Sequence, residues 1–212
     1  MSTLICFALK EEAAPFHKIA AGRPDIFTAI VGIGRQNAEK SVRSFLAANS
    51  PNLVLTCGFA GGLNPELKAG EVVFELPAAN AQLTNRLITA GAKSATFHCA
   101  DHIATTVAEK KKLRYETNGD AVEMESAAIH AVCAERGIAC ATIRVISDTA
   151  NEDLPLDFNA LAKPDKSIDF GKLAWAIARS PGKIGALMRL QKKTRFAAQQ
   201  LARVLEQVAA QP

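Results

Sequence analysis

An α/β fold is what this sequence predicts, and three observations predict it. Short apolar runs of strand type alternate with stretches of helical spacing. Acids, glycines and one arginine collect where those runs stop, while the runs themselves stay apolar. The 212 residues are enough for one domain with a substantial core.

Thr3 to Leu9 reads as a buried strand that stops at Lys10-Glu11-Glu12, where a helix begins. Phe27 to Val31 is the second strand and ends in Gly32-Ile33-Gly34. A helix follows from Gln36 to Ala48, with Ala38, Val42, Phe45 and Leu46 close to helical spacing. Leu53 to Cys57 is a strand running into the glycine turn GFAGGL, residues 58–63. Glu71 to Leu76, introduced by Gly70, and Ala95 to Cys99 are further strands. Asp101 is expected to cap a helix through Leu113. Ala121 to Met124 is a short strand entering a helix from Ser126 to Arg136, which Gly137 stops. Ile138 to Ile146 is strongly β and ends in Ser147-Asp148. Pro155 to Asp169 reads as loop, and no internal repeat is visible.

The tail has a different character. Ser180 to Arg203 carries Lys183, Arg189, Lys192, Lys193, Arg195 and Arg203 and no acid. Phe196, Leu201, Val204, Leu205 and Val208 could share one helical face. Two readings stay open: a helix that packs its apolar face on the sheet, or a basic amphipathic segment resting on anionic lipid.

Composition narrows the classes. A net charge of +4 without basic runs interleaved with aromatics argues against a nucleic-acid binder. Five cysteines, without CxxC spacing, argue against a disulfide framework or a zinc site and for a reducing cytoplasm. MSTLICFALKEE reads as a first strand rather than a signal peptide, and no apolar run reaches membrane-spanning length.

Ligands of open α/β sheets bind beyond the carboxyl ends of the strands. Those ends carry Glu11 and Glu12, Gly32 and Gly34, Gly58, Gly61 and Gly62, Glu123 to Glu125, and Arg144 with Ser147 and Asp148. Each has an ordinary alternative. Glu12 suits a helix start, Asp148 an N-cap or Asx-turn, and GIG a tight turn lacking the full dinucleotide fingerprint. Arg144 inside an apolar strand is harder to dismiss, because a buried guanidinium needs an anionic partner. The stretch DAVEMESAAI sets Glu123 and Glu125 in an apolar run, where unpaired charge is costly. His98, His102 and His130 lack metal-ligand spacing, and none is assigned to a metal.

VEMESAAI followed by IRVISD, with GFAGGL earlier, resembles the nucleoside phosphorylase and nucleosidase superfamily. ALKEEA at 8–13 and GIGRQNA resemble its methylthioadenosine/adenosylhomocysteine nucleosidase branch. This likeness spans roughly residues 3 to 150. RVISDTANEDLPLDF with SPGKIGALMRLQKKTRFAAQQLARVL further resembles the hopanoid-associated members, thought to act on adenosylhopane, a C35 lipid nucleoside.

The resemblance implies a three-layer αβα sandwich with a central mixed, largely parallel sheet. It implies one such domain over 1–212, with a basic amphipathic tail at 170–212. It implies cleavage of a purine N-ribosidic bond. Asp148 matches the residue near N7 that carries or relays a proton, and Glu12 the base that activates water. Glu125 matches the acceptor of the ribose hydroxyls, with Met124 packed on the sugar. Arg144 would hold Glu125 and the water. Ser147 and the Ala60-Gly61 backbone would border the base, and Ile103 is assigned to substrate binding. Strand alternation turns Glu123 away from Glu125, in a structural role. No metal or organic cofactor is implied, because protonation and water activation suffice.

The departures favour hydrolysis. Thr56 and Phe59 stand where phosphorylases of this kind place arginine and serine, and LKEEA replaces a glycine-rich phosphate loop. Arg35 remains as a donor should phosphate be a co-substrate. Leu76 to Thr96, a short stretch, is expected to leave the pocket wall open toward a bulky 5′ group. The expected substrate is a 5′-modified adenosine such as adenosylhopane. A phosphorylase and a non-catalytic nucleoside- or lipid-binding protein are the rivals. Members of the family commonly pair as homodimers.

Overall fold

The computed structural model describes residues 2–78, 80–163, 165, 166 and 169–210. Pro164, Ser167 and Ile168 of the expected loop, and the last two residues of the tail, lie outside them. The elements run β1 (Thr3–Phe7), α1 (Lys10–Ala20), β2 (Ile26–Ile30), α2 (Arg35–Ala48), β3 (Leu53–Gly62), β4 (Val72–Glu75), α3 (Ala81–Thr89), β5 (Lys93–Ser94) and β6 (Phe97–Cys99). Then come α4 (Val107–Thr117), β7 (Ala121–Glu123), α5 (Ser126–Glu135), β8 (Ala139–Asp148), α6 (Phe158–Leu161), α7 (Phe170–Arg179) and α8 (Ile184–Ala210).

Among the described residues the strands form one sheet in the order β2-β1-β3-β8-β4-β5, and β7 joins the end of β3 and pairs with β6. The pairs β1–β2, β1–β3, β3–β8, β4–β5 and β6–β7 are parallel. Only β4–β8 and β3–β7 are antiparallel among the described residues, so the sheet is mixed and largely parallel. Strand alternation divides the core. Ile5 and Phe7 face α1, α3 and α8, packing with Phe16, Leu87 and Leu201. Leu4 and Cys6 face α2 and α5, packing with Val42, Leu46, Ile129 and Val132. Each large apolar side chain so buried contributes about 1.5–3 kcal/mol, and the result is three layers, helix on sheet on helix.

Several elements differ from expectation. β3 does not stop at Cys57 but continues through the glycines to Gly62, because β8 pairs along its whole length and β7 caps its end. The helix expected to start at Asp101 starts at Val107. Thr106 and Glu109 form a reciprocal capping box there, and Asp101 is exposed. Short helix α6, capped by Asp157, interrupts the stretch read as loop.

Leu76 to Thr96 is not a wall of the strand-end site. β4 runs antiparallel to β8, so it carries the chain toward the strands' starting ends. There α3 forms, with Leu83 and Leu87 in the core beside α8. Its first turn borders a cavity of about 530 Å³ with Thr3, Asn52 and Ala139, at the opposite end from Glu12, Arg144 and Asp148. The tail takes the packed reading over α8: Ala197, Ala198, Leu201, Ala202, Val204, Leu205 and Val208 are buried. Phe196 does not join that face; it lies half-exposed against Gly70.

Candidate active site

The site is built on the ends of β1, β3, β7 and β8. Glu12 sits in the first turn of α1, where its Oε2 accepts the Leu9 amide at 2.8 Å. Its Oε1 reaches across to accept the Phe59 amide of β3 at 2.8 Å. Burial pushes its carboxyl up to about 7, against the pull of Arg144 and the two amides. A buried carboxyl held near neutrality is suited to take a proton.

Arg144 stands beside Gly58 in the β3–β8 register, and it is 1% exposed. A side chain at position 58 would put its Cβ 2.6 Å from Arg144 Nη1 and 2.7 Å from Glu12 Oε1. The missing side chain is therefore what admits both groups. Arg144 Nη2 donates to Glu123 Oε2 at 2.5 Å, Thr56 Oγ1 at 3.1 Å and Glu125 Oε2 at 3.2 Å. Nη1 donates to the Cys57 carbonyl at 3.2 Å.

Glu123 does not turn away from Glu125. The strand ends at Glu123 and the chain bends into α5, with Glu125 at the N-cap, so two-residue alternation no longer applies. Both acids reach Arg144. Glu123 Oε2 also accepts the amides of Glu125 and Ser126, and Oε1 accepts the Ser126 hydroxyl at 2.6 Å. Burial raises its carboxyl, but Arg144, Ser126 and the amides outweigh that and hold it low. Glu125 has fewer partners: the Gly34 amide at 2.8 Å and Arg144. Burial dominates there and the carboxyl is raised. Gly34, at φ +86°, aims its amide at Glu125, so the GIG turn positions a carboxylate.

Asp148 ends β8 in a separate set. Ser147 Oγ lies 2.6 Å from Asp148 Oδ1 and 3.2 Å from the Ala60 carbonyl. Gly61 pairs with Asp148 across the sheet at a bulge, and its absent Cβ would stand 3.4 Å from Oδ2. The Lys110 ammonium, 0% exposed, donates to Asp148 Oδ2 at 2.5 Å. Met124 is buried beside the paired glutamates in sequence. The amide and carbonyl of Ile103 are both bound to the Asn159 carboxamide, at 2.9 and 2.8 Å. Arg35 is tied to the Cys99 carbonyl and, at 3.5 Å, to Asp101. His130 bonds Thr142 at 2.9 Å, and burial lowers its pKa, which suits a structural role. No group of His, Cys, Asp and Glu among the described residues could hold a metal ion.

The structure brings the expected Glu12, Glu125 and Arg144 together and sets Asp148 in a neighbouring group with Lys110, which sequence reasoning did not single out. That lysine opens the run Lys110-Lys111-Lys112, which reads as a solvated helix face. Its burial shows only when Leu113, three residues on, is placed on the inner side of α4.

A layered α/β sheet with ionisable groups assembled at its strand ends is an arrangement that enzymes use. The profile of the phosphorylase superfamily matches residues 74–179, half the chain. The chain belongs to that superfamily. It is 26% identical to the aminodeoxyfutalosine nucleosidase of Campylobacter jejuni over 166 residues, 64% of this chain and 72% of the relative. It is also 26% identical to the 5′-methylthioadenosine/S-adenosylhomocysteine nucleosidase of Shewanella halifaxensis over 170 residues, 64% and 73% of the two chains. The solved futalosine hydrolase of Helicobacter pylori shares the fold: TM-score 0.73, 19% identity, 99% and 97% of the two chains covered.

Proposed function

We propose that this enzyme hydrolyses the N-glycosidic bond of a 5′-modified adenosine, releasing adenine. The observation that carries this reading is the charge balance around Arg144. Glu12, Glu123 and Glu125 surround one guanidinium, and Arg35 is occupied by Asp101 and Cys99. A net negative, buried cluster repels phosphate and stabilises the positive charge that develops on the sugar as the base leaves. In this reading Glu12 takes a proton from the attacking water. Glu125 accepts the ribose hydroxyls with the lone pairs that Gly34 and Arg144 leave unused. Asp148 faces N7, and Met124, Ser147, Ala60 and Gly61 border the substrate. Ile103 meets it through the side chain, or through its peptide once Asn159 moves off.

The 5′ group is read as long and apolar, as in adenosylhopane. Trp175, Ile184 and Met188 are exposed on α7 and α8, and Arg179 stacks 4.0 Å over the Trp175 ring. Lys172, Lys183, Arg189 and Lys192 lie on the same two helices and the turn between them, exposed like those apolar residues. Such a surface suits anionic lipid, so the protein is read as a cytoplasmic homodimer that touches the membrane through this tail. No described helix is long and apolar enough to cross one.

The test is adenine release, by chromatography, from methylthioadenosine, 5′-deoxyadenosine and a long-chain 5′-alkyl adenosine, with and without phosphate. Release in phosphate-free buffer, fastest for the alkyl nucleoside, is expected. Strict phosphate dependence would make the enzyme a phosphorylase, and binding without release would make it a binding protein. Co-sedimentation with anionic vesicles, lost in Trp175→Ala, tests the tail. Light scattering tests the dimer.

A further inference from the structure

Lys110 has no task in the nucleosidase reading, although it is fully buried against Asp148. Its Nζ makes three hydrogen bonds: to Asp148 Oδ2 at 2.5 Å and to the carbonyls of Thr149 and Glu152, both at 2.8 Å. An ammonium would donate to all three, and a neutral amine would donate to the two carbonyls and accept from a protonated Asp148, so either way the pair holds one proton between Nζ and Oδ2. A fully buried ammonium also requires a neighbouring anion, since an unpaired buried charge is strongly disfavoured. Asp148 stands in that place, with Oδ2 against Nζ.

The other ionisable groups nearby are engaged elsewhere. The Glu152 carboxylate binds Lys193 on α8, Glu109 caps α4 through Thr105 and Thr106, and Asp153 accepts the Val107 amide. Ser147, on the other carboxyl oxygen, is neutral. The resting pair thus shares one proton between Lys110 Nζ and Asp148 Oδ2. The carboxylate by itself has no proton to give a purine.

We propose that Lys110 is a positioning residue that supplies, through Asp148, the proton the departing base receives; this rests on the nucleosidase reading. The C1′–N9 bond breaks and its electron pair enters the purine ring. Asp148 passes a proton to N7 and takes one from Lys110, which becomes a neutral amine. Water adds its oxygen to C1′ and gives its proton to Glu12. Transfer of that proton through solvent back to Lys110 restores the starting state. The same ion pair holds the Asp148 carboxylate against rotation, between Lys110 on one oxygen and Ser147 on the other.

The experiment compares the full-length wild-type protein with Lys110→Arg and Lys110→Met, following adenine release from 5′-deoxyadenosine between about pH 5 and pH 9. A guanidinium keeps the charge but does not surrender its proton. Lys110→Arg is expected to lower Tm, because the larger guanidinium must fit a fully buried place, but to keep KM while kcat falls by about 10²-fold, a typical loss for a general-acid contribution. The ratio of wild-type to variant kcat should shrink as pH falls, because protons from solvent then replace the one Lys110 gives. Taking the ratio removes the titration of Glu12, which is common to both proteins. Lys110→Met should show the same narrowing; if it does not fold, the arginine variant decides. Wild-type kcat in the arginine variant would overturn the proposal. So would a reduced kcat whose ratio to wild type does not change with pH, since that is the mark of a purely structural lysine. Failure of the nucleosidase reading looks different: the wild-type protein itself would release no adenine.

Discussion

Arg144 Nη2 lies 2.5 Å from Glu123 Oε2 and 3.2 Å from Glu125 Oε2, so the guanidinium is anchored on the first acid and only steadies the second. The two glutamates should respond differently to neutralisation. Glu123→Gln weakens a buried pair whose every oxygen is engaged, and stability should fall by about 3 kcal/mol, as for other broken buried pairs. Glu125→Gln should leave Tm closer to wild type. It should lower kcat/KM by about 10- to 100-fold, the equivalent of one hydrogen bond to a charged group. Thermal unfolding and steady-state kinetics on both variants check this, and equal loss of stability in the two would contradict it.

Glu12 sets a pH dependence. A base must be ionised, and its carboxyl is held at about 7. kcat/KM should therefore rise from the acid side through about 7 and level off above it. Glu12→Gln should abolish this limb along with turnover. The folded value lies above the ordinary 4.5, so between them the folded state holds the extra proton. The stability contributed by Glu12 is full below that window and lost as pH rises through it, while activity grows.

Gly58→Ala should disable the site without touching an ionisable group. The new Cβ has nowhere to go without moving Arg144 or Glu12, and φ of +152° disfavours a side chain there. A loss of about 1–3 kcal/mol in stability is expected from overpacking. A fall of about 10²-fold in kcat/KM is expected from misplacement. Unchanged kinetics would mean that neither group is positioned as drawn.

Arg144→Lys keeps the charge but replaces a fork by a single nitrogen. The guanidinium serves Glu123, Glu125, Thr56 and the Cys57 carbonyl at once. An ammonium has three donors and a different reach. Lower Tm and lower kcat/KM together are the expected result, with no rescue by added salt.

Much of this site is legible in the order of residues. Glu12, Glu125, Arg144 and Asp148 can be found because strand ends are recognisable and charge inside an apolar strand is rare. Glu123 was misjudged because alternation holds only while the strand lasts, and β7 ends at that residue. α3 was passed over although Asn80, Leu83 and Leu87 carry a cap and an i, i+4 pair. Thr106 and Glu109 form a reciprocal box that outcompetes Asp101 as the start of α4. Lys110 was invisible for a different reason. Its burial depends on α4 lying against β7 and the loop after β8, a long-range arrangement that no local spacing encodes.

The loop after β8 joins three parts of the chain. Asp153 caps α4, the Glu152 carbonyl holds Lys110, and the Glu152 carboxylate grips Lys193 at 2.9 Å. Helix α8 is thereby harnessed to the acid at the end of the sheet. The Lys193–Glu152 pair is partly exposed and open to screening by salt, whereas Lys110 Nζ lies out of reach of solvent. One surface loop therefore spans the distance between the tail helix and the lysine paired with Asp148.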